Sequence, residues 1–284
     1  MSIPPVLPLS LLILIALGGA SGCAPNSVFE IAERQHLTVT EVEGDGFDHL
    51  VVRRATSPQG DRLHVYIEGD GLPWTGHYPS PDPSPRNALA LRLAALDPDD
   101  FVYLGRPCYF TDPTPTRCSP MYWTSHRYGE EVIRSMAKAI ERIRQPGYRE
   151  IVLIGYSGGG TLAALLESRV QGVIGVVTVA ANLDIDAWTE FHDYDPLSGS
   201  LNPIRMPRNP EIPHLQLVGG IDSTVPAATS ADYSRVQPNV DLIEFENFSH
   251  VCCWEEVWPT ILQQLSRRLA EKTVDRQTDK PGDR

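Results

Sequence analysis

The sequence predicts an α/β domain: a mostly parallel sheet with helices on both faces. Apolar runs at residues 62–67, 101–104, 151–154, 173–181, 214–218 and 240–245 have strand length, and several are apolar throughout, as strands covered on both faces are. Helical stretches separate most of these runs, the alternation that folds as successive βα units. At 284 residues the chain can bury a sizeable core in one large domain.

Composition narrows the class. With 42% hydrophobic and 21% charged residues the chain is ordinary and globular, and no internal repeat is visible. A formal net charge of −12 argues against a nucleic-acid partner, whose phosphates draw on clustered Lys and Arg. No phosphate-loop run of Gly-x-x-x-x-Gly-Lys-Ser/Thr is present.

In chain order, residues 7–17 are an apolar run followed by Gly18-Gly19-Ala20-Ser21-Gly22 and Cys23, which reads as a signal peptide over 1–22. The run is too short for a comfortable membrane span. Its ending resembles the lipobox of bacterial lipoproteins, which implies that Cys23 is acylated and becomes the new N-terminus. The expectation is an exported protein of the cell envelope, held at the periplasm or outer membrane by a lipid anchor, with plain secretion as the alternative. The folded domain is expected over 23–271 and a polar, disordered tail over 272–284.

Residues 37–42 and 49–53 alternate apolar and polar around Gly44-Asp45-Gly46, an opening hairpin that fits a sheet edge. The strand at 62–67 ends in Glu68-Gly69-Asp70-Gly71, and a proline-rich loop, 73–85, leads to a helix at 87–96. After the strand at 101–104, Cys108 and Cys118 flank another proline-rich loop. A bridge between them would staple a segment with little else to order it, although four cysteines besides Cys23 allow three pairings. Adjacent Cys252 and Cys253 read either as free buried thiols or as a vicinal disulfide. No Cys or His pairs stand at zinc-ligand spacing, so no metal is expected. A helix at about 128–143 carries Val132, Ile133, Met136, Ala139, Ile140 and Ile143 on one face. Residues 182–206 lack periodicity and hold Trp188, Phe191, His192 and Tyr194, which reads as a small cap on the substrate side. A helix at 226–234 and a last helix at 258–271 complete the chain.

The chemistry centres on residues 151–161. An apolar strand runs into Gly155-Tyr156-Ser157-Gly158-Gly159-Gly160, and Thr161 opens a helical stretch. A serine at the apex of a sharp strand-to-helix turn has its hydroxyl exposed, and neighbours without a Cβ let strand and helix close up. The helix N-terminus then faces the point where negative charge develops during acyl transfer. A serine hydroxyl needs an oriented base. Asp222 and His250 each follow a strand on a loop downstream, in the order Ser157, Asp222, His250.

With these residues the chain resembles the α/β-hydrolases, from the first hairpin to the last helix. The resemblance implies that His250 takes the Ser157 proton and that Asp222 orients the imidazole. It implies an oxyanion hole built from the Gly158 N–H and a second N–H from the loop after the 62–67 strand, at Asp70, with Gly71 as the other candidate. Glu68 departs from the family pattern by standing where a histidine is common, and its carboxylate must be turned away or paired for the hole to work. Asp184 and Asp186 are rival acids, because some hydrolases place the acid there, and His192 could face substrate. The expected activity is that of a serine carboxylic ester hydrolase on a small-molecule ester, with no cofactor. A peptidase, a thioesterase or a non-catalytic envelope binding protein on the same scaffold are the alternatives.

Overall fold

A computed structural model of the chain describes residues 27–54, 60–110, 117–144 and 147–278. The expected signal peptide, Cys23 and the end of the tail lie outside the described residues.

The described chain opens with helix α1 (Val28–Arg34), which the sequence reading missed. Its Ser27 accepts from the Glu30 N–H while the Glu30 side chain returns to the Ser27 N–H, a capping box whose Ser-x-x-Glu spacing could have revealed it. Strands β1 (Thr38–Glu43) and β2 (Asp48–Arg53) form the expected antiparallel pair. Strand β3 (Arg62–Ile67) follows, then a small hairpin of β4 (Trp74–Thr75) and β5 (Tyr78–Pro79) within the proline-rich loop. Next come α2 (Leu89–Ala95), β6 (Phe101–Leu104) and α3 (Glu130–Arg144). Strand β7 (Glu150–Tyr156) enters α4 (Gly158–Leu166) through Ser157, and β8 (Val173–Val179) runs beside it.

The segment expected to be irregular, 182–206, contains helix α5 (Ile185–Phe191), N-capped by Asp184, and a short 3-10 turn at Pro203–Arg205. Only Ile185 and Thr189 of α5 are buried, so its apolar periodicity is too thin to read. The chain closes with β9 (His214–Gly219), α6 (Ala227–Val236), β10 (Val240–Phe245) and α7 (Trp254–Thr278). Helix α7 begins four residues before the expected 258 and continues past 271 into the segment expected to be unstructured.

Among the described residues the main sheet has eight strands in the order β1-β2-β6-β3-β7-β8-β9-β10. Pairings are parallel from β6 through β10, and the β1–β2 and β2–β6 pairings are antiparallel. Side chains of α1, α2 and α7 share one core with one face of the sheet, and those of α3 and α4 share another with the opposite face. Central β3 and β7 are buried almost throughout. Their C-terminal ends point the same way as those of β9 and β10, so the loops after these four strands gather at one edge of the sheet.

A buried polar lock ties the first core together. His64 Nδ1 lies 2.6 Å from Asp97 Oδ2, the Tyr66 hydroxyl donates to the same oxygen, and Trp258 Nε1 donates to the Tyr66 oxygen (3.2 Å). Strand β3, the end of α2 and helix α7 are thereby joined without an unpaired carboxylate. Cys108 and Cys118 are bridged, the pairing favoured from sequence. Cys252 and Cys253 are also bridged; Cys252 is exposed and Cys253 half-buried, which departs from the buried thiols that were one of the two readings.

Candidate active site

Ser157 sits between β7 and α4 with φ 52° and ψ −127°, a backbone that a serine adopts only under strain. The close approach around it needs glycine. A Cβ on Gly159 would lie 2.2 Å from the Ile67 carbonyl oxygen, and one on Gly155 would lie 2.1 Å from the Gly159 carbonyl oxygen. Strand β3, strand β7 and the first turn of α4 are thus held closer than any side chain permits, and Ser157 is lifted above them.

The two downstream loops bring their residues to this serine. His250, on the loop between β10 and α7, has Nε2 3.1 Å from Ser157 Oγ. Its Nδ1–H donates to Asp222 Oδ2 at 2.8 Å, which leaves Nε2 unprotonated and able to accept the serine proton. Asp222 follows β9 and is buried, and its second oxygen accepts from the N–H groups of Thr224 and Val225, each at 2.8 Å. The Tyr156 ring packs on the imidazole at 5.1 Å.

The rival residues are engaged elsewhere. Asp184 caps α5 and accepts from Asn202 Nδ2 (2.8 Å), and Asp186 accepts from the same amide and pairs with Arg205. His192 Nε2 donates to the Thr224 carbonyl (2.9 Å), which also accepts from Trp188 Nε1 (2.8 Å), so the cap is tied to the loop that carries Asp222.

The loop after β3 lies against the elbow. A Cβ on Gly69 would be 3.1 Å from the Ser157 Cβ, and one on Gly158 would be 2.1 Å from Asp70 Oδ1. The N–H groups of Asp70 and Gly158 find no acceptor among the described residues. The Asp70 side chain turns inward to Arg106, to Arg127 Nη1 (2.9 Å) and to the Tyr128 hydroxyl (2.6 Å), and its carbonyl accepts from the Tyr109 hydroxyl (3.0 Å). Burial would raise this carboxyl, but Arg127 and Arg106 outweigh it and bring it down to about 2. Sequence reasoning named Asp70 for its backbone and missed the two arginines that hold its side chain.

Glu68 is turned away from the serine. Its Oε2 accepts from the Ala90 N–H at the start of α2 (3.0 Å) and Oε1 from the Gly69 N–H (3.2 Å). Complete burial pushes its carboxyl up to about 7, against the lowering effect of those N–H groups. Around the serine opens a cavity of about 1210 Å³, lined by Trp74, Arg127, Asn182, Trp188, Thr224 and His250 among others.

No protein-family model and no curated protein sequence matches the chain. Solved structures do. The chain is similar to the esterase Pf2001 of Pyrococcus furiosus with a TM-score of 0.57 and 13% identity, over 84% of this chain and 93% of that one. It is similar to alpha/beta hydrolase domain-containing protein 10 from mouse at a TM-score of 0.55 and 13% identity, over 81% and 99%. A bacterial membrane phospholipase A matches at 0.53 and 16%, over 86% and 89%. At these identities the likeness is one of fold.

Proposed function

The chain has the α/β-hydrolase fold, and we propose that on this fold it is a serine hydrolase that cleaves carboxylic esters through an acyl-enzyme. The observation that carries the proposal is the hydrogen-bonded series Ser157 Oγ, His250 Nε2, His250 Nδ1, Asp222 Oδ2, with both distances within reach for proton transfer. In this reading Ser157 Oγ attacks the ester carbonyl carbon as its proton passes to His250 Nε2. The resulting oxyanion is met by the Gly158 and Asp70 N–H groups. Collapse expels the alcohol, which takes the proton from His250, and water repeats the sequence to free the acid and regenerate the serine.

Two further features support the reading. The carboxylate that would oppose an oxyanion, Glu68, is spent on the N-terminus of α2. Among the structures of this fold are proteins named as an esterase and a phospholipase, alongside an acylaminoacyl peptidase, so an ester is one of the substrates that this fold serves. The test is labelling with a fluorophosphonate probe alongside hydrolysis of 4-nitrophenyl butyrate. The wild type should react with both, and Ser157→Ala with neither. A folded wild type that takes no label would leave the scaffold without this activity.

A further inference from the structure

Behind the loop that holds Asp70 the charges do not balance. Arg106 is 1% exposed and Arg127 5%. Among the described residues, Asp70 is the one carboxylate hydrogen-bonded to either guanidinium. Burial works against the charged forms of both arginines and Asp70 holds them charged, while burial keeps Tyr109 and Tyr128 in their neutral forms. Two buried cations thus share one anion, and a buried charge without a partner is costly.

Each arginine leaves a nitrogen without an acceptor among the described residues, and the two differ in where that nitrogen lies. Arg106 gives Nη1 to Asp70 and Nη2 to the Arg127 carbonyl, and its unpartnered Nε is enclosed by protein. Arg127 gives Nε to the Thr124 carbonyl (2.8 Å) and Nη1 to Asp70, and its Nη2 has no acceptor among the described residues. Arg127 also lines the cavity that contains Ser157 and His250, with Thr124, Ser125 and Asn182 beside it. The other charges lining that cavity do not compensate it. Glu68 is consumed at α2, Arg86 is a further cation, and Asp193 and Asp195 are exposed on the cap, where solvent and salt screen them.

From this we infer that Arg127 is a substrate-recognition residue, whose free Nη2 and unbalanced charge bind an anionic oxygen group, carboxylate or phosphate, carried by the ester that Ser157 cleaves. The inference rests on the ester-hydrolase reading for its substrate and on the cavity alone for its site. A guanidinium anchored on Asp70 is pre-organised, so it gains a charge-assisted hydrogen bond with little loss of side-chain freedom. The substrate anion would complete a set of two cations and two anions.

Two ester pairs test it on the full chain: mono-(4-nitrophenyl) glutarate against 4-nitrophenyl butyrate for an anion on the acyl side, and 4-acetoxybenzoate against phenyl acetate for one on the alcohol side. The wild type should favour the anionic member of one pair by about tenfold or more in kcat/KM, chiefly through KM. Arg127→Gln, which leaves Asp70 with Arg106 and Tyr128, should erase that preference by losing more on the anionic ester than on the neutral one, and Arg127→Lys should restore part of it. Equal use of both members by the wild type, or a parallel loss on both in Arg127→Gln, would overturn the inference in favour of a purely structural arginine. A second measurement needs neither turnover nor a substitution at Arg127: thermal unfolding of Ser157→Ala with glutarate, inorganic phosphate or neutral glutaramide. A rise in Tm with either anion and none with glutaramide supports the subsite and tells carboxylate from phosphate, and no rise with any of them counts against it. Anion binding by a chain that takes no fluorophosphonate label would sink the ester-hydrolase reading and keep the subsite.

Discussion

A carboxylate beside a forming oxyanion raises the barrier to acyl transfer, and Glu68 avoids this by leaving solvent for the first turn of α2. That solution ties stability to pH. In the unfolded chain Glu68 titrates near the ordinary 4.5, and in the folded protein near 7, because burial penalises its charged form most. A raised folded value gives a contribution that is full below the unfolded value and is lost as pH rises through the folded one. Between pH 5 and pH 8 the protein should therefore lose roughly 2 kcal/mol that Glu68→Gln does not lose. Urea unfolding of both proteins at the two pH values measures the difference in slope. At this scale Ser157, Asp222 and His250 were legible, since each follows a strand on a loop and the order along the chain is diagnostic. The anchors of Asp70 were not, because Arg106 and Arg127 stand 36 and 57 residues away and meet it only once the sheet has formed.

The element that sets His250 is the turn between β10 and α7. Trp254 is fully buried at the start of α7, with Phe245 and Phe248 against its ring, and its Nε1 donates to the His250 carbonyl at 3.0 Å. Within the same turn the bridged Cys253 holds a positive φ of 80°. Trp254→Phe keeps most of the packing and removes the donor. It should lower kcat several-fold with KM little changed and cost about 1 kcal/mol of stability, measurable by steady-state kinetics on 4-nitrophenyl butyrate and by chemical unfolding. Long periodic helices such as α3 were readable, and so were the apolar strands. The two-residue strands β4 and β5 and the short α5 carry too few periodic positions to register, and they are formed by the loops they sit in.

For the molecule as a whole, the class of fold was readable but the strand order was not. Nothing in the linear chain places β6 between β2 and β3, a choice made by long-range packing. Strand β6 leads directly into Arg106 and Tyr109, and the bridge from Cys108 to Cys118 holds that segment beside the Asp70 loop. Replacing both cysteines by serine should cost about 2–3 kcal/mol through loop entropy alone, lowering Tm by roughly 5–10 °C. Calorimetry of the oxidised wild type and the double variant checks it, and the variant's ester turnover should fall as well.

An open sheet ends in two strands with unsatisfied backbone groups, which can template pairing with another molecule. Here the terminal strands are β1 and β10. The first carries Glu41, beside a Glu43 paired with Arg142, and the second carries Glu244, beside an Asp241 paired with Arg268, in a chain whose net charge is −12. Two copies approaching edge to edge would bring carboxylate against carboxylate whichever edges met. The same open sheet that gathers the loops of Ser157, Asp222 and His250 is therefore guarded against aggregation at both of its margins.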